Sequence, residues 1–521
     1  MLLTVVRWVT FLALVAVTTY YVLQTGGHPE GVAVARDRIT IAAVLWALTL
    51  LRKRQPATAV GLHGTARFAT KRDLKGLLVW GKERRPGAFV LGAFGRRTLA
   101  LPPQLATHHV LVVGPAGSGK SRAEFMPNCA SATGSFVVTD PKGELWEYTS
   151  GEQPHAWRFA PREPEQSRCC NWIPLCQDPR TADLLAAAAM QTDRPGGGDP
   201  FWPLAEAQVC SALFAHTASL GVPTPATAYA LLTQGPRGLL AALRESPALG
   251  ARQCAAMLGD LRVELLASIV LGVSNKLAWL KEPAVQRFTS AELTAPDFRI
   301  LAQQPTAVYW VLHEQDVALL QPLSSLFFTL LLDQLGSAKL PEPVLLMLDE
   351  FANLGVLPRF PTTISVARGR GLALILGVQA LSQLEGLYGR HGAETIRVNC
   401  MTKVVLHGLD YRGAEEISHS LGEQTVQHQQ IGSDDRWNEQ HVCRPLLTAD
   451  EVRRLDADDM LVLVGNRHPA RVRKQWYTAA PSTAQHSSLG PAQRWTPPEG
   501  GDGPGNGPRP APEPRHLAGR D

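Results

Sequence analysis

The sequence predicts an α/β protein: a parallel sheet wrapped by helices and interrupted by an all-α insertion. An N-terminal transmembrane anchor precedes it and a disordered C-terminal tail follows. Three observations predict this. Seven short Val/Leu/Ile runs lack the alternation of a half-exposed sheet, which suits strands covered on both faces. A glycine-rich octapeptide follows the first run, and Ala/Leu-rich helical spacing over residues 181–290 divides the runs into two groups.

Leu2 to Leu23 is apolar, with Arg7 the one charge, and long enough for one bilayer span. Ile39 to Leu51 is a second apolar run of 13 residues, followed at once by Arg52, Lys53 and Arg54, which hold that end in the cytoplasm. The expected anchor over residues 1–54 is therefore a two-helix hairpin with both ends cytoplasmic. One span plus an interfacial segment is the alternative.

The net charge of +5 is unevenly placed: between Arg52 and Arg97 there are 12 basic and 2 acidic residues, while residues 111–480 are net negative. That excludes a uniformly basic nucleic-acid coat. The collar reads first as attraction to anionic lipid, and second as contact with a DNA backbone. Eight Cys, irregularly spaced, make no disulfide scaffold. The tightest group, Cys169, Cys170 and Cys176, has neither a CxxC pair nor a nearby His and reads as buried thiols. From Pro481 onward, 9 Pro and 7 Gly in 41 residues predict disorder over 481–521.

The predicted strands are His109–Val113, Ser135–Asp140, Thr306–Leu312, Val344–Asp349, Leu372–Gln379, Lys403–Gly408 and Met460–Gly465. Gly114-Pro115-Ala116-Gly117-Ser118-Gly119-Lys120-Ser121 fits G-x-x-x-x-G-K-[ST] between the first strand and an expected helix. Its glycines let successive backbone N–H groups face phosphate oxygens, and the helix N-terminus adds a positive dipole end. Lys120 is expected on the β- and γ-phosphates and Ser121 on Mg²⁺. Val344 to Leu348 carries Asp349 and Glu350 to a strand end, with Asp349 expected in the Mg²⁺ shell and Glu350 polarising the attacking water. No N-K-x-D guanine-reading motif occurs in the sequence, so ATP is the expected nucleotide.

These residues resemble the type IV coupling proteins of bacterial conjugation and type IV secretion, over residues 61–477 and the anchor. Several ordered blocks carry the likeness besides the two nucleotide motifs: His63–Ala69, Asp140-Pro141-Lys142-Gly143-Glu144-Leu145, Asn171–Leu175, Asp349–Gly355, Arg368-Gly369-Arg370-Gly371, Gln379–Leu384, Tyr388-Gly389, Asn399 and Leu446–Val452. The resemblance implies a RecA-like domain over 55–180 and 291–480, with the all-α domain of 181–290 inserted in it. It also implies a homo-hexameric ATPase at the bacterial inner membrane, with most of the chain cytoplasmic. This ATPase would pass DNA in single-stranded form, with its relaxase, or effector proteins, to type IV secretion channel components. Arg368 matches the arginine finger inserted into a neighbouring subunit's site, with Arg370 as fallback, and Gln379 matches the γ-phosphate sensor. The local alternatives are a carboxylate partner for Arg368, a loop-capping amide for Gln379 and a structural turn for Asp140 and Lys142. Phe201-Trp202-Pro203 reads as a helix anchor in a core more readily than as a base-stacking site. Arg252, Arg262, Lys276, Lys281 and Arg287 read as a solvated face. The competing functions are an intracellular DNA-pumping ATPase of the chromosome-partitioning type and a nucleotide-controlled recruitment adaptor without motor activity.

Overall fold

The computed structural model describes residues 63–80, 85–191, 199, 201–431 and 437–478, with Tyr20 and Gln24 besides. Apart from those two residues, the expected anchor lies outside the described residues, as does the tail over 481–521.

Each of the seven apolar runs forms a strand. In chain order the strands are β1 (Leu78–Val79), β2 (Phe89–Phe94), β3 (Arg97–Leu101), β4 (Val110–Val113), β5 (Phe136–Asp140), β6 (Ala156–Phe159) and β7 (Ala307–Val311). They continue with β8 (Val344–Leu348), β9 (Leu372–Val378), β10 (Thr402–Val405), β11 (Glu423–Ile431), β12 (Trp437–Pro445), β13 (Asp459–Val464) and β14 (Ala470–Arg473). Twelve of them make one sheet in the order β1-β3-β2-β14-β13-β10-β4-β9-β8-β5-β7-β6. From β10 to β6 every pairing is parallel. From β1 to β13, and from β13 onto β10, every pairing is antiparallel.

The parallel expectation thus fails for Met460–Gly465, which is β13, with Val464 opposite Thr402 of β10. The sequence reading also misses β1, β2, β3, β6, β11, β12 and β14. Gly92 breaks the β2 run at a register shift, and β14 alternates buried and exposed residues over only four positions. Strands β11 and β12 pair with each other, and Thr65 bridges to Gln424; together these segments form a unit distinct from the rest of the chain.

Successive strand residues point to opposite faces, and here both faces are covered. Leu111 and Val113 of β4 enter one core cluster, whereas Val110 and Val112 enter the other. The stretch between β6 and β7 is helical. It includes Pro179–Met190, Phe201–Ala218, Pro225–Thr233, Gly235–Arg244, Leu249–Gly259, Val263–Lys276 and Pro283–Ser290. Asp178 and Thr224 cap two of these helices by accepting from the backbone N–H groups of Thr181 and Thr227. Their buried side chains, among them Leu185, Leu213, Phe214 and Ile269, are continuous with Phe159 and Trp310 of the sheet. Asn171 ties the stretch together: its Nδ2 donates to the carbonyls of Pro223 (3.0 Å) and Glu292 (2.8 Å), and its Oδ1 accepts from Ile173 N.

The helical segment Glu314–Ser337, which contains helix Val317–Ser337, is long and apolar enough to cross a membrane. Its Leu323, Phe327, Phe328 and Leu331 are fully buried, and Phe327 packs on Trp310 at 4.3 Å between ring centroids. It is a core helix of the sheet. Cys169, Cys170 and Cys176 are likewise buried.

Candidate phosphate-loop site

Parallel strands present their C-terminal ends along one edge, where sites of open α/β sheets gather. Here that edge brings together Gly114 after β4, Asp140 at the end of β5, Asp349 after β8 and Gln379 after β9. Strand β9 stands between β4 and β8, so the glutamine is placed between the loop and the acidic pair.

The loop turns back through Gly117 and Gly119, both left-handed with φ of 79° and 86°, and Gly114 N donates to Val378 O at 3.0 Å. The chain then enters a wide helical turn, Ser121–Phe125, and helix Met126–Ser131. Lys120 is buried, and its Nζ donates to Gly114 O (3.0 Å) and Glu350 Oε1 (2.9 Å). Gln379 Nε2 donates to the other carboxylate oxygen of Glu350 at 3.0 Å, while Gln379 N is held by Gln383 Oε1 at 2.8 Å. Glu350 sits in the left-handed region, at φ 54° and ψ 54°, a conformation costing about 1–3 kcal/mol in a non-glycine residue. The surrounding bonds hold its carboxylate between Lys120 and Gln379.

Asp349 is buried and its backbone carbonyl accepts from Thr139 Oγ1 at 2.6 Å. Ser121 Oγ donates to Asp349 Oδ2, whereas Asp349 Oδ1 is buried with no hydrogen-bond partner among the described residues. Burial pushes the Asp349 carboxyl up to about 6, against the pull of Lys120 and the Ser121 hydroxyl and with Glu350 and Asp140 adding to the rise. A carboxylate with one unmet oxygen beside a serine hydroxyl is the hard-oxygen environment that suits Mg²⁺. Ser121 and Asp349 are the residues that would hold it.

Asp140 answers to the structural alternative. It is buried and accepts from Trp146 N at 2.8 Å, at the start of helix Glu144–Thr149. Burial raises its carboxyl, and backbone N–H donors oppose that rise. Lys142 is exposed.

Arg368 is not brought to this edge. It lies in the turn Arg368–Arg370 that precedes β9, at the opposite end of that strand from Gln379. The seven residues of β9, at roughly 3.3 Å each, separate the two edges by about 20 Å. Arg368 is exposed; its carbonyl accepts from Gly371 N at 3.1 Å, and its guanidinium has no hydrogen bond or ion pair among the described residues. Arg370, by contrast, donates to Gly336 O near the end of helix Val317–Ser337. The segment before β9 is anchored by His109. Its Nδ1 accepts from Leu374 N (3.1 Å), which leaves Nε2 as the donor to Ile364 O (3.0 Å) in helix Phe360–Ala367. Burial pushes the His109 imidazole down to about 4.

Phe201 and Trp202 are not core anchors: they are 44% and 41% exposed and pack edge to face on each other at 5.5 Å. Of the scattered basic residues, Lys276 pairs with Glu206, Arg287 with Glu165, and Arg252 donates to Ser246 and Pro247 carbonyls. Sequence reasoning missed the segment Lys474–Tyr477, where Lys474 Nζ donates to the loop carbonyl of Ser118 at 2.8 Å. No local pattern in Lys-Gln-Trp-Tyr signals that contact.

A family model described as Type IV secretory system Conjugative DNA transfer matches residues 66–232 and 242–492. The conjugal transfer protein TraG of Escherichia coli is 26% identical over 80% of this chain and 76% of its own length. Protein VirD4 of Rhizobium rhizogenes is 28% identical over 71% of this chain, and that match spans 58% of VirD4. Among solved structures, the unbound bacterial conjugative coupling protein TrwBdeltaN70 aligns with a TM-score of 0.65 at 19% identity, covering 79% of this chain and 93% of that truncated chain. A TrwB structure in complex with ADP and Mg²⁺ aligns at 0.64 over 81% and 95%.

Proposed function

This chain belongs to the type IV secretory system conjugative DNA transfer family, and from that premise we propose that it is a membrane-anchored, hexameric ATPase. It couples DNA, with its relaxase, or effector proteins to a type IV secretion channel at the inner membrane. The observation that carries this reading is the bonded set Lys120–Glu350–Gln379 beside Ser121–Asp349, at the end of a P-loop strand.

The residues have work to do at each stage. Backbone N–H groups of residues 114–121 take the phosphate oxygens of ATP. Lys120 then exchanges Glu350 for a β- or γ-phosphate oxygen. That exchange leaves the Glu350 carboxylate held by Gln379 alone and free to accept a proton from the attacking water. Gln379, bridging Glu350 and β9, reports the presence of the γ-phosphate to the sheet. Ser121 and Asp349 would hold Mg²⁺, which when bound would neutralise charge on the phosphate oxygens. Arg368, too far from its own loop, serves the site of a neighbouring subunit, where it offsets transition-state charge.

The test is ATP turnover by the full-length chain in detergent, with and without single-stranded DNA. DNA-stimulated turnover that is lost in Lys120→Ala supports the motor. Nucleotide binding without turnover in the intact chain would overturn it and favour a recruitment adaptor.

A further inference from the structure

The P-loop reading fixes the phosphate end of a bound nucleotide and leaves its nucleoside without a seat. The last described segment of the chain supplies one. Beyond β14, Lys474 Nζ donates to Ser118 O (2.8 Å) and Ala457 O (2.6 Å). Tyr477 N donates to Arg122 O at 3.0 Å, Arg122 Nη2 donates back to Tyr477 O at 3.3 Å, and Tyr477 Oη donates to Tyr148 O at 3.0 Å. The segment is therefore pinned to the phosphate loop at one end and to the helical turn after it at the other.

Between these anchors Trp476 lies on the loop itself. A β-carbon at Gly119 would overlap the six-membered part of its indole ring. Its Nε1 donates to Asp458 Oδ1 at 2.9 Å, and Lys474 Nζ stands 5.2 Å from the ring centroid. The indole is thus held in one orientation, yet it remains 39% exposed. A large aromatic ring, fixed and partly bare beside a phosphate loop, is not explained by core packing.

The sheet order gives the direction of the ligand. Asp349, Glu350 and Gln379 lie on the β9 and β8 side of β4, and β10, β13 and β14 lie on the other side. A triphosphate whose terminal phosphate meets Glu350 extends its nucleoside away from β8, toward the side from which Trp476 comes. We propose that Trp476 is the nucleoside-contacting residue of this site, its indole packing against the base or ribose, and that Lys474 and Tyr477 position it. This rests on the P-loop reading.

The experiment is equilibrium binding to the full-length chain in detergent, with ATP and with inorganic tripolyphosphate, which has no nucleoside. Base–aromatic contacts predict that Trp476→Ala raises the Kd for ATP by about 10-fold, and that Trp476→Phe restores most of the affinity. The affinity for tripolyphosphate stays unchanged in both variants. Equal weakening of both ligands in Trp476→Ala would overturn the inference, because the ring would then merely prop the loop. An unchanged Kd for ATP overturns it too. A wild-type chain that binds neither ligand overturns the P-loop reading itself and this inference with it, before any variant is made.

Discussion

The two edges of the parallel sheet carry similar side chains in opposite circumstances. At the C-terminal edge, Lys120, Glu350 and Gln379 are bonded to one another within 3.0 Å and largely withdrawn from water. At the N-terminal edge, the exposed guanidinium of Arg368 has no partner among the described residues, although His109 anchors the helix that precedes it. Two residues on, Arg370 is occupied by Gly336 O. Charges that satisfy each other inside one chain build a site there. A charge held at a fixed place without a partner is available to something outside the chain. The contrast separates Arg368 from Arg370 as the proposed finger, which their shared motif does not.

The largest expected effect tests that separation directly. Arg368→Ala should lower DNA-stimulated turnover by about 10³-fold or more, with ATP affinity unchanged by calorimetry. Mixing Arg368→Ala with Lys120→Ala should recover partial activity, since mixed assemblies pair an intact loop with an intact Arg368. Recovery of nothing on mixing would sink the assignment in trans. At the other edge, Glu350→Gln should cost about 10²–10⁴-fold in turnover while ATP still binds.

Glu124 sharpens the comparison from within the helical turn behind the loop. Its two carboxylate oxygens are buried without hydrogen-bond partners among the described residues, and burial pushes its carboxyl from 4.5 up to about 8, partly opposed by Lys474. The folded chain therefore keeps a proton that the unfolded chain gives up, and stability falls as pH rises between those two values. Glu124→Gln should remove that slope in thermal melts, with its gain widest near pH 8 and vanishing toward pH 4.5. The smallest effect belongs to Arg370→Ala, which loses one hydrogen bond to a helix carbonyl. A loss of about 1 kcal/mol in the unfolding free energy from denaturant titration is expected, with turnover intact.

Much of the site was legible in the primary structure because its signals are local. Gly114 to Ser121 need left-handed glycines at fixed offsets, and Asp349 and Glu350 end an apolar run that has only a buried strand as its outlet. Strands β4, β5, β7, β8, β9 and β10 could be read for the same reason. The antiparallel strands β2, β3 and β14 are short, interrupted or alternating, and resemble loops until neighbours pair with them. Burial of helix Val317–Ser337 in the core, and exposure of Phe201 and Trp202, depend on neighbours that no local pattern names.

The sequence by itself determined the loop after β4, the acidic pair after β8 and all the parallel strands but β6, since hydrophobic continuity and glycine spacing act over a few residues. Only the tertiary structure decided that β9 sets Gln379 beside Glu350, that Arg368 stands at the far edge, and that Trp476 lies on Gly119. Those three placements depend on strand order and on contacts across as many as 357 positions of chain. No local pattern encodes a neighbour that distant; packing of the whole sheet does.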